Sequence, residues 1–176
     1  MNVRETVKEK GEESFFKNIQ TSYTGDITLS NQTIEQLKEL EKPVKMKFNF
    51  RMKMDEDMVY FNPMMWEGYK ENYFKAAERS YPVEMPYVFD ETYIFNMDIP
   101  ADYEVEEVPR SAKVNLNDTD GFFEYLVENA GTAVRLRSRI KLNRANFRPE
   151  EYNDLREFFS YVVKKHAEPI VLKKKK

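Results

Sequence analysis

An eleven-residue run of strict alternation at residues 44–54 constrains the fold more than any other feature of this sequence. Apolar side chains from Val44 to Met54 occupy every second position, and four basic residues and Asn49 lie between them. Side chains of a β-strand point alternately to the two faces of a sheet. The run therefore predicts one long strand with a buried face and a solvated face.

Shorter runs with the same period predict the rest of the sheet. These predicted strands lie at residues 92–99, 103–106, 113–116, 122–128 and 133–142, with further short ones at 27–29, 58–61 and 170–172. The connection 129–132 contains Asn129 and Gly131, which tolerate positive φ, so it predicts a hairpin. We expect a second hairpin, in which residues 58–61 return against residues 44–54. Residues 23–26 read as a turn, and residues 33–41 fit a short helix and an edge strand equally well.

Two segments predict helices, one at each end of the chain. Residues 2–21 carry apolar residues three to four apart, interrupted weakly at Gly11. Residues 149–166 begin with proline, end with basic residues and carry a broad apolar stripe, so this helix should dock on the sheet. We expect His166 at its exposed C-terminal end, and an irregular helical turn within residues 64–80.

These elements together predict the fold class and the domain organisation. The class is α+β and predominantly β: an antiparallel, β-sandwich-like domain with a C-terminal docking helix and an N-terminal helical lead-in. We place the lead-in at residues 1–22, a single domain at 23–172 and a disordered lysine tail at 173–176. No apolar run is long enough for a membrane span.

Composition excludes several classes of chemistry. The chain has no cysteine and one histidine, which removes thiol nucleophiles, cysteine-ligated metals and most acid–base pairs. It has no phosphate-binding glycine motif, and the acidic turn at 118–121 lacks the flanking ligands of a calcium loop. A net charge of −3 argues against general nucleic-acid binding. We therefore expect a non-enzymatic chain without a metal or cofactor.

A row of basic residues on one predicted strand has two interpretations. Four cations share one face of the strand at 133–142, namely Arg135, Arg137, Arg139 and Lys141. They could bind an acidic glycan, peptide or nucleic acid, together with the basic face of the strand at 44–54. Alternatively they form ordinary cross-strand ion pairs, for which we expect the acids of residues 98–107 as partners.

Two stretches resemble a known family. Residues 79–83 (RSYPV) precede the proline-, tyrosine- and acid-rich stretch 99–109 (IPADYEVEEVP). Residues 149–172 then combine PEEY, LREFF and HAEPIVL. Together with the entry segment at 31–44, they resemble an uncharacterised C-terminal accessory domain of bacterial transglutaminase-like proteins, over roughly residues 20–172.

The resemblance implies an exported, non-catalytic β-rich domain of the cell envelope that follows a catalytic core carrying a Cys-His-Asp triad. No residue of that triad transfers to this chain. We expect an accessory domain that packs beside or shields such a core, with partner contacts on another domain of the same polypeptide or on another protein. The aromatic residues of the proline-rich region are the candidate contacts, although packing in the core explains each equally well: Trp66, Tyr69, Tyr73, Tyr81, Tyr87 and Phe89.

Overall fold

The computed structural model describes residues 3–22 and 27–176 of the chain. Contacts divide it into two compact units, an N-terminal unit ending at Asp55 and a C-terminal unit beginning at Glu56. All strand pairs are antiparallel and helices are few. The predicted class, α+β and predominantly β, is confirmed. The turn predicted at 23–26 lies outside the described residues, and the predicted division into domains at 22 and 172 stays a prediction.

The N-terminal unit consists of two helices and a two-stranded sheet. Its elements are α1 (Val3–Lys10), α2 (Glu12–Ser22), β1 (Ile27–Glu35) and β2 (Lys45–Met52). The predicted lead-in is broken into two helices at Gly11, where φ is +80°. α2 buries Phe16 against Phe48 of β2, with their rings 6.0 Å apart and edge to face. Of the two interpretations of residues 33–41, the strand holds as far as Glu35.

The C-terminal unit contains two larger sheets, one strand pair and one long helix. Its elements are β3 (Met58–Phe61), β4 (Val83–Glu84), β5 (Phe89–Asp98), β6 (Tyr103–Glu107), β7 (Ala112–Asn117), β8 (Gly121–Asn129), β9 (Ala133–Leu142), β10 (Asn146–Phe147), α3 (Tyr152–His166) and β11 (Ile170–Lys174). The four-stranded sheet has the order β5-β9-β8-β7, the three-stranded sheet has the order β3-β11-β6, and β10 pairs with β4. A 3-10 turn at Pro149–Glu151 leads into α3.

The hairpin predicted between the long alternating strand and residues 58–61 is wrong. β2 pairs with β1, and β3 pairs with β11. Residues 170–172 of β11 are buried one after another, which suits the central strand of a sheet, whereas β3 has only four residues. β11 also continues through Lys174, two residues into the segment predicted as a disordered tail.

The four-stranded sheet follows its predicted pattern closely. β9 spans the predicted residues 133–142 and buries every second side chain. The β8–β9 hairpin is confirmed: Gly131 has a φ of +79°, and its N–H donates to the side-chain oxygen of Asn129. Phe95 on the buried face stacks on Phe61 of β3 at 5.6 Å, so residues of the two larger sheets share one core.

The sole histidine occupies that core, and its expected surface position is wrong. His166 is 2% exposed, and its ring lies 5.4 Å from Phe123 and 6.1 Å from Tyr125 of β8. The reason is the helical period: positions 152, 155, 159 and 162 lead by steps of three or four to residue 166. The buried stripe of α3 thus extends one turn beyond its last aliphatic residue. Among the described residues, no helix combines the length and apolarity needed to cross a membrane.

The packing at Gly121 generates a first prediction. A Cβ atom at this position would clash with the carbonyl oxygen of Lys141 and lie 2.7 Å from Cδ2 of Leu142. We expect Gly121→Ala to lower the free energy of unfolding by about 2–3 kcal/mol, since β8 cannot separate from β9 without breaking the sheet. Urea denaturation measures this loss.

Gly131→Ala is the matched control, because nothing lies within 4 Å of a Cβ there and only the positive φ is strained. It should cost about 1 kcal/mol. Equal losses in the two variants would contradict the close approach at Gly121.

Burial of His166 generates a second prediction. Burial lowers its pKa from 6.5 to about 4. Between these values the unfolded chain binds the proton and the folded chain does not, so the stabilising contribution is complete above pH 6.5 and is lost as the pH falls towards 4. We expect a loss of about 3 kcal/mol from this residue.

Urea denaturation of the wild type and of His166→Gln at several pH values between 7 and 4 isolates the contribution. The difference in unfolding free energy between the two proteins should shrink as the pH falls. A constant difference would mean that His166 titrates with its ordinary pKa in the folded chain.

Candidate functional site

The loop between β3 and β4, residues 62–82, carries four of the six candidate contact residues. The helical turn predicted within residues 64–80 is wrong: the loop contains turns but no helix. Asparagine side chains replace the missing helical hydrogen bonds. Asn62 donates to the carbonyl oxygen of His166 at 3.0 Å and accepts the N–H of Met64 at 2.9 Å. Asn72 donates to the carbonyl oxygen of Arg156 at 2.8 Å.

A buried phenylalanine fastens the same loop to α3. Phe74 lies between Tyr152 and Phe159, with ring centroids 6.0 and 5.3 Å away. Its N–H donates to the side chain of Asn72, and the hydroxyl of Tyr152 donates to the carbonyl oxygen of Ala76. The loop is therefore fixed at several points rather than free to rearrange.

Tyr69 is the centre of the candidate site. Its backbone N–H donates to Nδ1 of His166 at 3.2 Å, and its ring packs on Phe159 at 6.0 Å. On the other side its ring contacts Tyr73 at 5.7 Å and Phe89 of β5 at 6.5 Å. The hydrogen bond to His166 and the contact with Phe159 anchor Tyr69 to α3, and the ring of Tyr73 stands exposed beside it.

The electrostatics of Tyr69 connect the cluster to β5. Its hydroxyl lies 3.3 Å from the carboxylate of Glu91. Burial raises the pKa of Tyr69 far above its ordinary value, and the nearby Glu91, Tyr73 and Tyr87 raise it further. Burial also raises the pKa of Glu91. The hydrogen bond from Tyr69 lowers that pKa, and repulsion from Glu67 raises it. The tyrosine is thus a neutral hydrogen-bond donor to a carboxylate.

The structure brings four of the six candidate residues together. We call Tyr69, Tyr73, Tyr87 and Phe89 the aromatic surface. Tyr73 is 70% exposed and Tyr87 is 66% exposed, whereas Tyr69 and Phe89 are half-buried.

The other two candidates lie on the same loop. Trp66 is half-buried. Tyr81 is 77% exposed and has no ring contact with the aromatic surface among the described residues. Partner binding by any of the six stays a prediction.

The cationic row lies on the solvated face of β9 and is largely paired. Arg139 donates two hydrogen bonds to Asp90 of β5, at 3.0 and 2.9 Å. Arg137 forms an ion pair with Glu124, and Arg135 lies 3.6 Å from Glu128, both on β8. The interpretation as cross-strand ion pairs therefore describes three of the four cations.

The predicted partners and the predicted neighbouring strand of the cationic row are both wrong. The acids come from β5 and β8, because β6, which carries most of the acids expected as partners, pairs with β11. β2 pairs with β1 in a different sheet, so the two cationic strands are not paired with each other. Lys141 forms no ion pair among the described residues. Binding of an acidic ligand to this row stays a prediction.

One contact resembles the geometry of a nucleophile and its base. Ser138 Oγ lies 3.0 Å from Nε2 of His166, but the two residues are 3% and 2% exposed. Nδ1 faces a backbone N–H, where a catalytic histidine would have a carboxylate. The pair holds β9 to α3, and no substrate can reach it in this arrangement. No group of three metal-ligating side chains occurs in the described part of the chain.

Sequence reasoning missed the role of His166 in this site. The available signal was the period of α3, which places residue 166 on the buried stripe together with Tyr152 and Phe159. The asparagines that fix the loop carried no such signal, because their partners lie 84 to 104 residues away.

Comparisons with known proteins place the C-terminal unit in a family. No curated protein matches the chain. A solved structure described as "a putative protease from Parabacteroides distasonis ATCC 8503" is similar at 16% identity and a TM-score of 0.47, over 56% of this chain and 19% of that one. The family model of DUF3858, a domain of unknown function with a solved structure, matches residues 57–172, more than half of the chain. The chain belongs to the DUF3858 family.

Proposed function

We propose that this chain is a non-catalytic interaction domain, which packs beside or shields the catalytic core of a transglutaminase-like or protease-like protein. The observation that carries the proposal is the aromatic surface, in which Tyr73 stands exposed on the loop that is fixed to α3 and Tyr87 stands exposed just before β5. Rigid, exposed tyrosines are typical of binding surfaces, since they bury much area and lose little side-chain entropy on binding.

The anchoring of the loop supports this assignment. The half-buried Tyr69 contacts both the exposed Tyr73 and the half-buried Phe89, so Tyr73 stands on a packed base. A partner that covers these rings would bury apolar area without first ordering the loop. The hydroxyl groups at the rim remain available for hydrogen bonds.

The chemistry of the other candidates supports a role without catalysis. The only imidazole is buried, has both ring nitrogens engaged and has a lowered pKa, so it is neutral and enclosed at neutral pH. The arginines of β9 already share carboxylates with their neighbours. The aromatic surface is the feature that these internal interactions leave available to a partner.

In-cell photo-crosslinking tests the proposal. We expect a photoreactive phenylalanine at Tyr73 or Tyr87, in the full natural polypeptide that contains this domain, to crosslink to one contiguous surface of one domain. Mass spectrometry of the crosslinked peptides identifies that surface.

Tyr60 is the matched control position, because it is also 70% exposed but lies on β3. It should give no crosslink to the same surface. Crosslinks that are equally frequent from Tyr60, or that scatter over many proteins, would contradict a dedicated surface at Tyr73 and Tyr87.

A further inference from the structure

β5 forms one edge of the four-stranded sheet. It pairs with β9 over ten residues without a register shift, and no other described strand pairs with it. The opposite edge strand, β7, has six residues and contacts α3. β5 is therefore the longest edge that this sheet offers to another chain.

The hydrogen-bond alternation identifies which groups of β5 face the open side. The N–H of Ile99 donates to the carbonyl oxygen of Thr132, one step beyond the last pair of the ladder. In an antiparallel pair, bonded residues alternate with residues whose N–H and C=O point outward. The odd-numbered residues of β5 thus bond to β9. The outward residues are Asp90, Thr92, Ile94, Asn96 and Asp98.

The side chains along this edge select the chemistry of an added strand. β5 contains three acidic residues and no basic one. Arg139 neutralises Asp90, whereas Glu91 and Asp98 form no ion pair with any described residue. Ile94, midway between them, is 64% exposed. A complementary strand carries cations opposite Glu91 and Asp98 and an apolar residue opposite Ile94.

A second copy of β5 does not meet these requirements. An antiparallel pair of β5 strands centred on Ile94 would place Asp90 of each copy opposite Asp98 of the other. Shifting the register provides no cation, because the strand has none. Like charges directly opposite each other destabilise a strand pair, so the edge favours a foreign basic segment.

We propose that β5 binds an extended basic segment of a partner chain, which adds to the four-stranded sheet as a fifth, antiparallel strand. The inference rests on the proposed function and specifies how the domain would recognise its partner. The backbone of the segment bonds to the five outward residues, and its side chains provide specificity. The aromatic surface adjoins this edge through Phe89 and through the Tyr69–Glu91 hydrogen bond, so the bound segment would end beside Tyr73 and Tyr87.

A designed nine-residue peptide with blocked ends is the probe. It carries lysine at positions one and eight, valine at position five and threonine elsewhere, which places the lysines opposite Asp98 and Glu91 and the valine opposite Ile94. We titrate it into the isotope-labelled chain and follow backbone amide shifts. We expect saturable shifts concentrated on the outward residues of β5, and no such shifts from a peptide with glutamate in place of lysine.

Backbone variants of the peptide and of the protein test strand addition itself. N-methylation at the central valine removes an amide that would face β5 and should weaken binding about tenfold or more. N-methylation at the next residue, whose amide would face away, should leave binding unchanged. Asn96→Pro removes one outward N–H and should weaken binding by a similar factor, whereas Asn96→Ala retains the N–H and should bind. Thr92→Pro replaces Asn96→Pro if the latter does not fold.

Several results would overturn the inference. These are a lack of saturable shifts on β5, equal binding of the glutamate peptide, or equal effects of the two methylations. A dimer of the free chain that Asn96→Pro dissociates would make a second copy the occupant. If Tyr73 and Tyr87 crosslink to one surface as expected while the lysine peptide does not bind the wild-type chain, the proposed function stands and only the edge is excluded.

Discussion

A single buried imidazole links three elements of the C-terminal unit, and the candidate site depends on it. Nδ1 of His166 accepts the N–H of Tyr69, so in the neutral ring Nε2 carries the hydrogen and donates it to Ser138 of β9. The loop, the helix and the sheet therefore meet at one ring. Protonation would direct a second N–H at the donor of Tyr69 and would place a positive charge on a ring that is 2% exposed, which is costly. The position of the aromatic surface is thus coupled to the neutral state of this histidine.

The distribution of charge over the four-stranded sheet explains why one edge remains acidic. β9 is central and basic, and its arginines draw carboxylates from the strands on either side, Asp90 from β5 and Glu124 from β8. This pairing contributes little to the free energy of unfolding, since ion pairs near the surface are worth little. The other two acids of β5, Glu91 and Asp98, form no ion pair with a described residue. Charge complementarity inside the sheet therefore creates the asymmetry at its edge.

The sequence was most informative where the responsible interactions are local. The period of two located β9, and Asn129 and Gly131 located its hairpin, because both signals arise within a few residues. Strand partners were not local: β3 pairs with β11, more than 100 residues later, and no pattern within either strand identifies the other. The wrong hairpin between β2 and β3 has the same cause. The acidic turn at residues 55–57 and the short strand after it favoured pairing with the strand nearest in sequence.

The candidate site was predictable in residue type but not in arrangement. Composition identified the aromatic residues of the proline-rich region, yet Tyr69 and Tyr73 differ only in what covers them, and that cover comes from α3 and β5. Nor could the pattern of β5 show that it is an edge strand, since edge position follows from the order of all strands in the sheet. The edge and the aromatic surface adjoin, because Phe89 is the first residue of β5 and its ring contacts Tyr69. A partner that recognises either feature therefore meets the other within the same contact area.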